Sequence, residues 1–129
     1  MNHGALILTR FLLICLGGAV GTGARYLTAL WASSAFGPAF PAGTLIVNVL
    51  GSFLLGFLMG LSPLFSANAR LTLTTGVMGG FTTYSTFNYE TTNYFREGAW
   101  LMGATNVAAT LVGCLAAGLA GLTLARLVR

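Results

Sequence analysis

The chain has 129 residues, of which 56% are hydrophobic and only 6% charged, and its formal net charge is +4. So few ionisable residues cannot cover a soluble fold, and the composition indicates an integral membrane protein. The composition also excludes nucleic acid as a partner, because the cationic residues are single arginines and never form a basic run.

Four apolar stretches are each long enough to cross a bilayer, for which a helix needs about 20 apolar residues. They lie at about 5–31, 44–65, 70–95 and 99–125. We therefore expect an all-α transmembrane domain that covers 1–129 and contains four helices. The first stretch lacks the charged start and short apolar core of a cleaved signal peptide, so we interpret it as a span. The arginines favour cytoplasmic termini only weakly.

Two of the spans carry polar stripes on one helical face. Span two carries Thr44, Asn48 and Ser52, and span four carries Asn106, Thr110 and Cys114. One interpretation is hydrogen bonding between packed helices, at about 0.6 kcal/mol for each bond. The other is a file of neutral donors, which suits a small anion stripped of its water. Both interpretations stay open for each residue taken alone.

Span three turns abruptly polar between Gly79 and Glu90, where hydroxyls recur at short intervals. Its aliphatic hydroxyl residues are Thr82, Thr83, Ser85 and Thr86. The adjacent glycines Gly79 and Gly80 predict a break in the helix, and non-helical backbone is tolerated at bilayer depth only against protein or a wet cavity. A break frees carbonyls that bind hard cations, and it starts a half-helix whose amides favour anions.

An aromatic stripe follows the same span, with Phe81, Tyr84 and Phe87 spaced by three residues. Such a stripe usually serves packing. The edge of an aromatic ring is nevertheless electropositive, so it can contact an anion without trapping it.

Two ionisable residues lie within the predicted spans. Arg25 either extends its side chain to the headgroups or lines a vestibule that gathers anions. Glu90 either pairs with an arginine near the interface or touches a permeation route.

Small residues spaced by four predict closely packed helices. They include the pairs Gly17 with Gly21, Gly56 with Gly60, and Ala117 with Gly121. We interpret Cys15 and Cys114 as small packing residues, because neither has a second metal ligand nearby in the sequence. The loops are short, so the chemistry must lie within the helices, and a chain this small needs a dimer or larger assembly to enclose a conduction path.

In these motifs the chain resembles the Fluc (CrcB-type) fluoride channels over nearly its whole length. The likeness rests on residues 17–26 of span one, 43–48 of span two and 79–87 of span three, of which the last is the most specific.

This resemblance implies an antiparallel, dual-topology homodimer in the cell membrane, with two fluoride pores and a structural sodium ion at the dimer centre. Gly79 and Thr82 would supply carbonyls to sodium, Asn48 would be a pore donor, and Tyr84 with Phe87 would be the pore aromatics. The resemblance also implies a passive function that lowers cytoplasmic fluoride and relieves its toxicity.

The remaining pore candidates are hydroxyl and amide side chains on the three polar spans: Thr44, Ser85, Thr86, Asn106 and Thr110. By the same resemblance Arg25 lies in the vestibule and Glu90 flanks the pore. Two departures from the family stand out. Tyr84 occupies a position where the family usually has phenylalanine, and span four lacks the family's usual serines and tyrosine.

Three other classes of protein compete with a channel. A proton-driven four-helix drug exporter requires a buried acid in its first span, and span one has none. In a scaffold subunit the polar stripes would serve only hydrogen bonding between helices. An enzyme would need a base, and the only histidine is His3, near the terminus.

Overall fold

The computed structural model describes residues 2–129, and these residues are helical almost throughout. The helices are α1 (His3–Phe36), α2 (Ala42–Gly60), α3 (Ala67–Leu71), α4 (Gly79–Phe81), α5 (Tyr84–Arg96) and α6 (Trp100–Val128), with a 3₁₀ turn at Ser62–Leu64 and a π-helical segment at Thr72–Met78. Of these, α1, α2 and α6 are long and apolar enough to cross a membrane. The predicted third span is instead assembled from α3, the π-helical segment, α4 and α5, and we call this assembly the broken helix.

Helix α1 is the longest element, and its ends are well defined. The Asn2 side chain accepts a hydrogen bond from the Gly4 amide at its start, and Gly37 ends it with a positive φ of 75°. Its 34 residues correspond to about 51 Å of helix. Most of its apolar side chains are exposed, as for Leu16 and Val20, which suits a surface that faces lipid.

The helices pack in two pairs of parallel direction. Helix α1 runs beside the first part of the broken helix, where Gly17 lies next to Thr72 and Gly21 next to Val77. Helices α2 and α6 also run in the same direction, because residues further along α2 contact residues further along α6. A Cβ atom on Gly21 would collide with a backbone carbonyl of the neighbouring helix. The predicted close packing through small residues is therefore confirmed at this position.

The predicted break in the third span is confirmed, but it lies at Thr82 and Thr83 rather than at the glycine pair. Thr82 has φ −86° and ψ 158°, and Thr83 has φ −153° and ψ 110°, so both are extended. Gly79 and Gly80 are helical. Gly80 serves close packing instead, because a Cβ atom at this position would collide with the backbone of Gly18 in α1.

Candidate functional site

Asn48 of α2 binds both backbone polar groups of Thr83 at the break. Its Oδ1 accepts a hydrogen bond from the Thr83 amide at 2.8 Å, and its Nδ2 donates to the Thr83 carbonyl at 3.0 Å. Both residues are buried, at 8% exposure each. In an unbroken α-helix the Thr83 amide would bind the carbonyl of Gly79. Asn48 therefore replaces a helical bond, and Nδ2 keeps a second hydrogen for another acceptor.

Thr83 also caps the start of α5. Its hydroxyl oxygen accepts from the Thr86 amide at 3.3 Å and donates to the Thr86 hydroxyl at 2.9 Å, and the Ser85 hydroxyl lies 3.4 Å away. A cap of this kind fixes the first turn, whose free amides carry the positive end of the helix dipole. Thr83 was not predicted as a site residue, although a threonine at the start of a polar helix is a recognisable N-cap.

A groove of about 320 Å³ runs between α2, α5 and α6. It is lined by Asn48, Gly51, Ser52, Leu55, Thr82, Thr83, Tyr84, Phe87, Thr110, Leu111, Cys114 and Leu115. Phe87 is 7% exposed and Tyr84 is 76% exposed, and their ring centroids are 5.7 Å apart at an interplanar angle of 57°. The groove thus brings together predicted residues from spans two, three and four, and it has an aromatic rim that is open on one side.

A second cavity, which we call the arginine cavity, lies on the other side of Thr83. It has a volume of about 330 Å³ and is lined by Thr22, Arg25, Tyr26, Ala29, Gly43, Thr44, Val47, Thr83 and Thr86. The Arg25 Nη1 donates to the Thr82 carbonyl at 3.3 Å. The guanidinium is therefore directed at the break.

A third cavity, the glutamate cavity, lies between the α1–α2 loop and the end of α5, and its volume is about 320 Å³. The Thr44 hydroxyl donates to Glu90 Oε1 at 2.7 Å, whereas the buried Oε2 has no partner within residues 2–129. Glu97 lines the same cavity, so both acids of the chain face it. Thr44 also borders the arginine cavity. Thr44 is thus shared by the glutamate and arginine cavities, and Thr83 is shared by the arginine cavity and the groove. The three cavities form one row.

Three predicted site residues lie outside this row. Asn106 is 1% exposed and donates to the Thr91 hydroxyl at 2.9 Å, which is the hydrogen bond between packed helices that its position also allowed. Ser85 is exposed at the start of α5, and Gly79 is exposed on α4.

A metal ion in the described part of the chain would depend on backbone oxygens. Residues 2–129 contain no group of three or more His, Cys, Asp and Glu side chains that could hold one. The Gly79 carbonyl is free of the Thr83 amide, which binds Asn48 instead. The Thr82 carbonyl accepts from Arg25 and retains a second lone pair. Both carbonyls are oxygen donors of the kind that hard cations bind, and one chain alone does not complete a ligand set.

Long apolar helices around a row of polar cavities define a small multi-pass membrane protein with an internal polar site. The family described as "CrcB-like protein, Camphor Resistance (CrcB)" matches residues 12–122 of the chain. The chain therefore belongs to the CrcB family, as its motifs indicated.

Curated relatives agree with this assignment. The chain is 55% identical over 122 residues to a protein of Anaeromyxobacter dehalogenans, covering 92% of this chain and 97% of the relative. It is 52% identical over 120 residues to one of Sorangium cellulosum, covering 91% and 94%, and 45% identical over 122 residues to one of Geobacter sulfurreducens, covering 92% and 98%. Each relative is named fluoride-specific ion channel FluC. The family is one of channels, which confirms that the protein is not an enzyme.

Proposed function

We propose that this protein is a fluoride-selective passive channel in the cell membrane, which lowers cytoplasmic fluoride and so relieves fluoride toxicity. The observation that carries the proposal is the groove in which Asn48, Phe87 and Thr110 meet without a fixed positive charge among its lining residues. The names of relatives at 45–55% identity support the same ion.

Neutral contacts explain how a dehydrated anion can pass and still leave. The second Nδ2 hydrogen of Asn48, the Thr110 hydroxyl and the amides at the start of α5 are donors along the groove, and the edges of Phe87 and Tyr84 add weak electropositive contacts. Such sites are weak enough to release the ion. The membrane potential drives an anion outward at about 2.3 kcal/mol per charge per 100 mV, so passive flow suffices.

The adjoining cavities supply the approach to this groove. Arg25 would gather anions at the break, and the Thr86 hydroxyl would donate to them along its cavity, which Thr44 also lines. Glu90 would flank this route while bound to Thr44. Ser85 and Asn106 are further candidates, Ser85 from the exposed start of α5 and Asn106 through its bond to Thr91.

The working unit in this proposal is an antiparallel homodimer with two pores. Helix α5 exposes a polar face formed by Ser85, Asn88, Tyr89 and Thr92. Polar side chains at bilayer depth require protein or water around them. A second copy of the chain would cover this face and close the open side of the groove at Tyr84. The weak bias of the arginines is compatible with insertion in both orientations.

A structural sodium ion at the dimer centre is the remaining part of the proposal. Carbonyls of Gly79 and Thr82 from both copies would hold it, since each copy alone supplies an incomplete set. The bound cation would offset the negative ends of the two helices that stop at the break. It would not be transported.

Fluoride leak from liposomes tests the proposal. Vesicles that contain the protein and sodium should release fluoride, recorded by an ion-selective electrode, while they retain chloride. Retention of fluoride overturns the channel. Proton-coupled efflux of an organic cation would support the exporter instead. Exhaustive replacement of sodium by a bulky organic cation should abolish the leak, and an unchanged leak would refute the sodium site alone.

Phe87→Ile separates conduction from assembly. The substitution removes the aromatic edge from the groove while keeping a similar volume, so fluoride leak should fall to the background of protein-free vesicles and the elution volume in detergent should not change. Phe11→Ile is the matched control, because Phe11 is 61% exposed on the outer face of α1. Unchanged leak in Phe87→Ile would remove Phe87 from the pore.

A further inference from the structure

The groove contains a thiol that the neutral-donor pathway does not use. Cys114 lies one helical turn after Thr110 on α6, and both residues line the groove with Asn48 and Phe87. Cys114 is partly exposed there and forms no disulfide. The second cysteine, Cys15, is exposed on the apolar α1. The chain thus carries one thiol inside the groove and one on an outer helix surface.

The Thr110 hydroxyl gives the same place an oxygen whose lone pairs have no partner in the described chain. Thr110 is buried, with 8% exposure, and in residues 2–129 its side chain makes no hydrogen bond, whereas Thr91 and Thr123 bind the carbonyl four residues earlier. The hydroxyl oxygen itself is not fully buried, and Thr110 lines the groove, so we infer that the hydroxyl is accessible from the groove. A threonine that is 8% exposed and has no protein partner for its hydroxyl is uncommon, and this one lines the groove beside Cys114.

We propose that Cys114, with Thr110 as a weaker neighbouring donor, is a binding site for a thiophilic metal, and that mercury(II) bound there closes the groove. Thiolate is the soft ligand that such metals select. In the reaction with mercuric chloride a sulfur–mercury bond forms, one mercury–chloride bond and the S–H bond break, chloride leaves and the proton passes to water. No oxidation state changes. The bound metal then stands beside Phe87, in the space a fluoride ion must cross.

This inference rests on the proposed function for its effect on flux, but the site itself has an independent measure. Neutral mercuric chloride crosses lipid and reaches both cysteines. Fluoride leak is recorded before and after its addition for the natural chain, Cys15→Ser and Cys114→Ser, each normalised to its own untreated rate. Intact-protein mass spectrometry counts the mercury atoms bound to each, and dithiothreitol removes them.

We expect mercury to reduce the leak of the natural chain and of Cys15→Ser to the protein-free background, reversibly, and to leave Cys114→Ser at its own untreated rate. Cys114→Ala serves as a second variant if the serine protein does not assemble. Block that persists without Cys114, or undiminished leak in a protein whose mass shows mercury on Cys114, overturns the inference. Absence of fluoride leak in untreated vesicles refutes the proposed function, and the mass count on Cys114 then decides the metal site alone.

Discussion

Helix α2 contacts its two neighbours by opposite means. Toward α6 it approaches through glycines, so that a Cβ on Gly56 or Gly121 would collide with a backbone carbonyl of the other helix. Toward the broken helix it extends a side chain, and Asn48 binds both backbone groups of Thr83. The contact with α6 requires that the glycine positions carry no side chain, and the contact with the broken helix requires the side-chain amide of Asn48.

The difference matters because lipid offers no hydrophobic force between helices. Close backbone approach gives the α2–α6 pair dense contacts over many residues. The contact at the break instead satisfies polar backbone groups that water cannot reach. We therefore expect added side-chain volume to destabilise the α2–α6 pair and lost hydrogen bonds to destabilise the break.

The largest effect should come from Asn48→Ala. This change leaves the amide and the carbonyl of Thr83 unpaired in a buried setting, at a cost of about 1–3 kcal/mol for each group. The thermal unfolding midpoint in detergent should fall strongly, and the fluoride leak should disappear.

Two comparisons sharpen that result. Asn68→Ala removes a single bond, from Arg10 at 3.3 Å near the end of the bundle, and it should shift the midpoint little. Asn48→Asp can still accept from the Thr83 amide but adds a negative charge that repels the anion, so leak should be lost with a smaller loss of stability. Equal midpoints for the natural chain and Asn48→Ala would show that the break needs no support from α2.

Gly121→Ala should have the next largest effect. Its new methyl group meets the Phe53 carbonyl, and overpacking of this kind costs about 1–3 kcal/mol. Gly118→Ala is the matched control on the same helix, because its nearest new contact is an ordinary 3.6 Å from the Ser52 carbonyl oxygen. Circular dichroism during heating should show a lower midpoint for Gly121→Ala only, and equal midpoints would contradict the close packing of α2 on α6.

The smallest effect should come from Tyr94→Phe. The Tyr94 hydroxyl donates to the Ala39 carbonyl at 2.9 Å and ties the end of α5 to the α1–α2 loop. Loss of this exposed bond should cost about 0.5–1.5 kcal/mol, with fluoride leak retained. Tyr26→Phe is the control, since Tyr26 makes no hydrogen bond in the described chain. A larger loss in Tyr94→Phe than in Asn48→Ala would reverse the comparison between the loop and the break.

Hydropathy and spacing were sufficient to predict the long helices and their close packing. The apolar runs predicted the three long helices α1, α2 and α6 to within about five residues, whereas the predicted third span is a broken helix. The glycine spacing predicted the contact through Gly17 and Gly21. Both are local properties of one helix, which is why one sequence reveals them.

The position of the break depended on contacts between distant parts of the chain. Gly80 is helical and lies against the backbone of Gly18 in α1, and Thr83 leaves the helix because Asn48, 35 residues earlier, binds its backbone. The bond from Asn106 to Thr91 also joins two spans. Spacing placed Asn106 on a polar stripe of its own helix, but it could not identify the partner across the bundle.

The Thr83 amide proton has two possible acceptors, and this gives the break a simple reporter. Bound to Asn48, the proton keeps the helix open; bound to the Gly79 carbonyl, it would restore a continuous helix and withdraw the cap from α5. The two arrangements exclude each other. Either bond protects the amide from deuterium exchange, so faster exchange of this single amide in Asn48→Ala would show that the Gly79 carbonyl does not take the proton when Asn48 releases it.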